Sequence, residues 1–212
     1  MSTAPFLSAF RQAEAVRREF SANVSHELKT PLTTIKSYTE TLLDGAVSDP
    51  ETARSFLGII DSEADRMNRL VKDLLQLSRM ENNQEKWNMK ESDLVKLLTS
   101  AVTKVALTAE AKKQKLNCLF EADARVAVVM DKDRIEQVIL NVLANAINYT
   151  QEGGRIDIDL VVQDREAHII IDDNGIGIPE DEQSRVFERF FRVDKARSRS
   201  MGGTGLGLAI SK

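Results

Sequence analysis

The chain has 212 residues, of which 42% are hydrophobic, enough to bury one core or two. Its 29 basic and 33 acidic residues leave a formal charge of -4, which excludes a global field for nucleic acid or an anionic membrane, so recognition must be local. Cys118 is the only cysteine, which excludes an intramolecular disulfide framework and fits a reducing compartment; no run approaches the roughly 18 apolar residues of a membrane span.

The first element is a long amphipathic helix, because Phe6, Phe10, Ala13, Phe20, Val24, Leu28, Leu32, Ile35 and Leu42 keep mostly three- and four-residue spacings. It stops near Asp44-Gly45. Asp49-Pro50-Glu51 then supplies an N-cap, a proline at the first helical position and an acid in the first turn. The second helix carries Phe56, Ile60, Met67, Val71 and Leu74 as its stripe. A two-helix hairpin leaves one apolar side open, so the economical arrangement is a homodimeric four-helix bundle built from residues 6–80. A monomeric hairpin packed on the rest of the chain is the other solution.

Residues 81–91 break the periodicity with polar side chains and read as a linker, with Trp87 docking it on a neighbour. Beyond it helix and strand alternate: a helix over 92–115, strands near 117–121 and 126–130, a helix over 133–149, and strands near 155–162 and 167–172. The fold class predicted is therefore α+β, a helical hairpin followed by an α/β sandwich over 92–212. Cys118 falls in one predicted strand, and His168 alternates in another as a structural or surface residue.

Three groups of residues carry chemistry. His26 lies about 200° around the helix from Val24 and from Leu28, so its ring points away from the core stripe. A neutral imidazole offers a nitrogen lone pair able to attack phosphorus. Glu27 beside it suits the acceptor of the other ring proton, and Thr30, one turn on, suits the orientation of a water for hydrolysis. Pro31 removes a backbone donor inside the helix. The bland reading is a solvated surface pair.

On the predicted helix 133–149, Asn141, Asn145 and Tyr149 share one face while Ile135, Val138, Val142 and Ala146 mark another. Asparagine is a poor helix former, and its side-chain oxygen is a hard ligand suited to Mg²⁺. A satisfied polar seam is the alternative. Asp173-Asn174-Gly175-Ile176-Gly177 ends an apolar strand: Asp173 can accept from an adenine amino group, while Gly175 and Gly177 let the chain pass close to a base. Gly203-Thr204-Gly205-Leu206-Gly207 opens a helix whose free backbone donors favour phosphate.

Phe20 to Leu32, with His-Glu-x-x-Thr-Pro-Leu at its heart, and the two glycine motifs resemble the dimerisation and ATP-binding domains of bacterial sensor histidine kinases. Val193 to Arg199 with the following glycines is most similar to the WalK/VicK branch. The resemblance covers the chain from Glu19 onward. It implies an N-terminal signalling helix over 1–19, a dimerisation and phosphotransfer domain over 20–80, and an ATP-binding domain of the Bergerat or GHKL type over 92–212, with further helix and strands expected beyond Lys212.

By the same resemblance His26 is the phosphoacceptor, Glu27 the base and Thr30 the residue of phosphatase action. Asn145 is the Mg²⁺ ligand, and Asn141, Asn148 and Tyr149 stand beside ATP. Arg192, Lys195, Arg197 and Arg199 resemble a mobile lid over the triphosphate, hinged at Phe187-Glu188-Arg189-Phe190-Phe191, a segment that alone would read as a short amphipathic helix. Asn148 departs from the pattern, where lysine is common. The implied partners are a second copy of the chain and a response regulator docking near His26, with no nucleic acid and no membrane contact by this chain. The implied location is the cytoplasmic part of a longer sensor, with room for a membrane anchor ahead of residue 1. Two other readings stay open: a GHKL-type ATPase that uses water as acceptor, and a non-catalytic dimeric scaffold that docks a regulator.

Overall fold

The computed structural model describes residues 4–81, 87–194 and 203–212, with the side chains of 4–13, 16, 17 and 81 left aside. These residues fall into two compact units, 4–76 with 203–204 and 77–194 with 205–212. Lys195, Arg197, Arg199 and Gly202 lie outside the described residues.

The first unit is the helical hairpin. Helix α1 runs Ala4–Leu43, a 3₁₀ turn covers Ala46–Ser48, and α2 runs Pro50–Glu81. Gly45 sits at φ 121, the left-handed side that lets the chain leave α1. Asp49 caps α2 as expected, accepting from the backbone N–H of Glu51 and Thr52 at 3.4 Å each and from the Thr52 hydroxyl. The Thr52 hydroxyl bond, followed by that of the Glu51 amide, holds the Asp49 carboxyl below its ordinary range. The antiparallel pairing is fixed at two points along the hairpin. Tyr38 meets Phe56 edge to face at 4.8 Å between ring centroids, and Arg66 reaches back to Glu27.

The expected stripes hold at most positions, with Phe20, Val24, Leu28, Ile35, Phe56, Ile60, Met67 and Leu74 half-buried, and depart at two. Leu42 and Pro31 are buried on α1, whereas Leu32 is 57% exposed; on α2 the buried apolar residues are Leu70 and Leu77, whereas Val71 is exposed.

In the second unit, β1 (Met89–Asp93) pairs antiparallel with β3 (Ala127–Asp131) in a two-stranded sheet, and β2 (Lys115–Cys118), β4 (Arg155–Gln163) and β5 (Glu166–Asp173) form a three-stranded one in the order β2-β4-β5. Strand β2 runs parallel to β4, and β5 runs antiparallel to it. Helices α3 (Leu94–Ala111) and α4 (Lys132–Tyr149) pack against each other. The predicted linker overlaps regular elements at both ends: α2 continues to Glu81, and Met89-Lys90-Glu91 belongs to strand β1. Its mostly exposed side chains give no apolar alternation to read, because backbone pairing with β3 makes the strand.

The core lies between the two helices and the three-stranded sheet. Leu97, Leu98 and Ala101 of α3, Leu143 and Ile147 of α4, and Ile156 and Ile158 of β4 are its most buried members. The outward positions of β5 include His168, exposed and 3.7 Å from Glu166, while Cys118 is exposed at the end of β2. The segment Phe187–Phe191 is not helical; it forms turns, with Phe190 at φ 61. A last helix, α5, covers only Gly207–Ile210.

Candidate functional site

His26 is exposed on α1, while Val24 and Leu28 on either side are half-buried, so the ring stands off the helix seam as its spacing requires. The Thr30 hydroxyl donates to the His26 carbonyl at 3.2 Å, which orients the threonine along the same turn. Glu27, one position on, faces α2. Its Oε2 lies 3.0 Å from Arg66 Nη2, and the two side chains are only 12% and 8% exposed. Arg66 Nη1 also lies 3.6 Å from Glu63. The guanidinium therefore holds the carboxylate adjoining the histidine, and removal of either partner would strand a buried charge. Arg66 was missed in the sequence because a charged residue between apolar positions reads as solvated; its one signal is the Glu63 a single turn before it.

The nucleotide side is organised by α4. Asp131 caps its N-terminus, accepting from the backbone N–H of Asn88 at 2.9 Å and of Arg134 at 3.4 Å. Asn141 donates from Nδ2 to the Gly207 carbonyl at 3.0 Å and to Ser211 Oγ at 3.1 Å, tying the second glycine motif and α5 onto α4. Asn145, Asn148 and Tyr149 are half-buried along the helix. The C-terminus of α4 then carries the first motif, since Ile176 N donates to the Tyr149 carbonyl at 3.3 Å. A Cβ at Gly175 would lie 2.6 Å from that same carbonyl oxygen and 2.6 Å from Asp173 Oδ1, so no larger residue fits. Asp173 Oδ1 accepts from Gly175 N at 2.9 Å and faces the Thr150 hydroxyl at 3.5 Å. Gly177 sits at φ 69. Asn174 turns the other way, its Oδ1 accepting from Arg155 N at 2.7 Å, and so locks the loop to β4.

In the second motif Gly205 sits at φ 73 with a Cβ site 2.9 Å from Phe190 Cα, and its carbonyl accepts from Phe190 N at 2.8 Å. Leu206 is fully buried, and Gly203 and Gly207 are half-buried. Thr204 falls in the first unit, where its hydroxyl donates to Asp73 Oδ2 at 2.7 Å; burial raises the Asp73 carboxyl above its ordinary range. Arg192 is buried rather than presented on the surface, with its Nε 3.2 Å from the Cβ site of Gly205. Trp87 stacks under the Arg134 guanidinium at 4.6 Å; the sequence names no particular neighbour for it. The structure thus gathers Asn141 with Gly207, and Tyr149 with Asp173 and Gly175, around one helix, while Lys195 lies outside the described residues. Gln114 and Thr150, missed in the sequence, are buried at the C-terminal end of α4.

Comparison with known proteins gives this arrangement a family. Residues 16–83 match the His Kinase A (phospho-acceptor) domain, and residues 130–212 match the histidine kinase-, DNA gyrase B-, and HSP90-like ATPase domain. The sensor histidine kinase WalK of Bacillus subtilis (strain 168) is 43% identical over 198 residues, which cover 92% of this chain and 32% of that protein. The chain spans between about a third and a half of the length of the curated relatives it matches. Among solved structures, histidine kinase ThkA in complex with response regulator protein TrrA superposes with a TM-score of 0.72 at 26% identity, covering 86% of this chain and 53% of that one. Full-length ShkA in complex with AMPPNP gives a TM-score of 0.62 at 25% identity, covering 76% of this chain and 32% of that one. With a phosphoacceptor helix bearing an outward histidine and an ATPase domain bearing both glycine motifs, this chain belongs to the sensor histidine kinases.

Proposed function

We propose that the chain phosphorylates itself on His26 at the expense of ATP and passes the phosphoryl group to an aspartate of a response regulator, with phosphatase activity toward that regulator as the return reaction. The observation that carries this reading is the exposed imidazole of His26 inside the stretch that matches the phosphoacceptor domain. An imidazole nitrogen attacks the terminal phosphorus, the bond from phosphorus to the bridging oxygen breaks, and ADP leaves. The proton on the other ring nitrogen passes to Glu27, whose carboxylate Arg66 holds. The reacting atoms need to lie in line, so catalysis rests on positioning and charge neutralisation. Thr30, anchored on the His26 carbonyl, orients water in the phosphatase direction.

ATP binds against α4, with Asp173 reading the adenine amino group, Gly175 and Gly177 admitting the base, and Gly203, Thr204, Gly205, Leu206 and Gly207 following the phosphates. Arg192 and Lys195 belong to the lid segment. ShkA is a relative solved with an ATP analogue, which supports the nucleotide class. Mg²⁺ fits Asn145: among the described residues Asn141 is committed to Gly207 and Ser211, while no hydrogen bond engages the Asn145 amide. Asn145 would offer the ion one amide oxygen, with phosphate and water completing its shell. The ion neutralises charge on the phosphates when bound.

The domains proposed are a signalling helix over 1–19, the phosphotransfer hairpin over 20–80, a connecting segment over 81–91 and the ATP-binding domain over 92–212. The hairpin dimerises through residues 6–80, and the regulator docks beside His26; the complex of ThkA with response regulator protein TrrA supports the class of that second partner. The chain acts as the cytoplasmic part of a longer sensor. No described helix is long and apolar enough to cross a membrane. The test is incubation with radiolabelled ATP and Mg²⁺. Wild-type chain acquires acid-labile label and the His26→Gln chain none; label retained by the variant would overturn the assignment.

A further inference from the structure

The last carbonyls of a helix lack intrahelical donors, and those of α4 are claimed from two sides. On one side stands the first glycine motif, through Ile176 N to Tyr149 O. On the other stands Gln114, 7% exposed at the junction of α3 and β2, whose Nε2 donates to Ile147 O at 3.0 Å and Thr150 O at 2.7 Å and approaches Gln151 O at 3.4 Å. Three carbonyl oxygens around one terminal atom fix that atom as the nitrogen, since an amide oxygen there would be repelled. The Lys112 ammonium adds a donor to Ile147 O at 2.9 Å. Lys113 between them takes φ 53, a conformation that leaves Lys112 and Gln114 both on the helix end.

The other end of the Gln114 amide shows what the residue is kept for. Its Oε1 is buried without a hydrogen-bond partner among the described residues, a cost to folding that a leucine or methionine of similar volume would not carry. The donor end is therefore the useful one. It grips Thr150 and Ile147, and between these two residues lies Tyr149, whose carbonyl is the surface on which Gly175 and Ile176 are built.

We propose that Gln114 is a positioning residue for adenine recognition: it clamps the C-terminal turn of α4 so that the Asp173–Gly177 loop keeps the shape that reads the base. The proposal rests on the reading of that loop as the adenine site. Without the clamp, the Thr150 carbonyl loses its side-chain donor and Ile147 O keeps only Lys112, the last turn of α4 loosens, and Asp173 no longer meets the purine amino group at a fixed place.

The experiment is calorimetric titration of the full chain with ATP·Mg²⁺ and with GTP·Mg²⁺, beside thermal melting. In the wild type ATP binds and GTP binds much more weakly; a wild type that binds neither removes the adenine reading and this proposal with it. Gln114→Met, which keeps volume and removes the donor, is expected to weaken ATP at least tenfold and to narrow the ATP-over-GTP preference. Gln114→Lys, which restores a donor, is expected to recover ATP affinity to within about threefold. If Gln114→Met binds ATP like the wild type, or loses ATP and GTP in the same ratio, the clamp is ordinary packing and the proposal fails. Should Gln114→Met not fold, Lys112→Met decides, with a threefold loss of ATP affinity expected and an unchanged affinity overturning it.

Discussion

The hairpin and the α/β unit bury their apolar residues to very different degrees. Leu97, Leu98, Leu143, Ile156 and Ile158 of the α/β unit are all but inaccessible, enclosed by two helices and a sheet. In the hairpin Leu32, Leu57, Val71 and Leu75 are each more than 40% exposed. One region closes its core from its own elements; the other leaves these apolar side chains exposed among the described residues. Surfaces of this kind mark association sites, and the proposed second copy of the hairpin fits that face. The same difference suits the proposed chemistry: a base reader needs a rigid frame, whereas a phosphoacceptor must present its ring outward.

The largest effect expected is on the enclosed side. Leu98→Ala should cost about 2–5 kcal/mol in denaturant unfolding of the α/β unit, the range for emptying a packed core position. Leu57→Asp should cost the folded α/β unit nothing and instead shift the chain from dimer to monomer in sedimentation; a monomeric wild type would break the comparison. Next comes Arg66→Met, expected to destabilise the hairpin by about 3 kcal/mol because Glu27 and Glu63 would be left without their cation. Thermal melting checks it, and double replacement with Glu27→Gln should restore part of the loss.

Gly175→Ala should leave the core intact and weaken ATP about tenfold, near 1.4 kcal/mol, because its Cβ would press on the Tyr149 carbonyl and Asp173. The smallest effect is in acid. The Asn88 backbone N–H holds the Asp131 carboxyl below its ordinary range, against burial and with help from Arg134. A lowered folded value means stability that is present above the unfolded carboxylate pKa and lost as pH falls through the folded one. Acid unfolding of the α/β unit followed by circular dichroism should therefore shift with Asp131→Asn, which removes that dependence.

Periodicity made α1, α2, α3 and α4 legible to within a few residues, because long helices with an apolar side repeat their signal over many turns. Strand β1 was hidden by the same logic, since the backbone of β3 rather than any side-chain pattern holds it. His26 could be placed because its neighbours Val24 and Leu28 fix the direction of its ring. Arg66 and Gln114 could not, because each acts through a partner far along the chain: Glu27 for one, Ile147 and Thr150 for the other. The turns of Phe187–Phe191 were hidden for a related reason, as the aromatic spacing alone suits a helix while Gly205 accepts the Phe190 N–H and sets a different backbone.

The central claim is that the outward imidazole of the hairpin, and no other atom, takes the phosphoryl group. Fragmentation mass spectrometry of the full chain after reaction with ATP·Mg²⁺ at neutral pH tests it most directly. The expected result is phosphate on the ring of His26. Phosphate on another residue, or ATP consumed with only free phosphate formed from the outset, would contradict it.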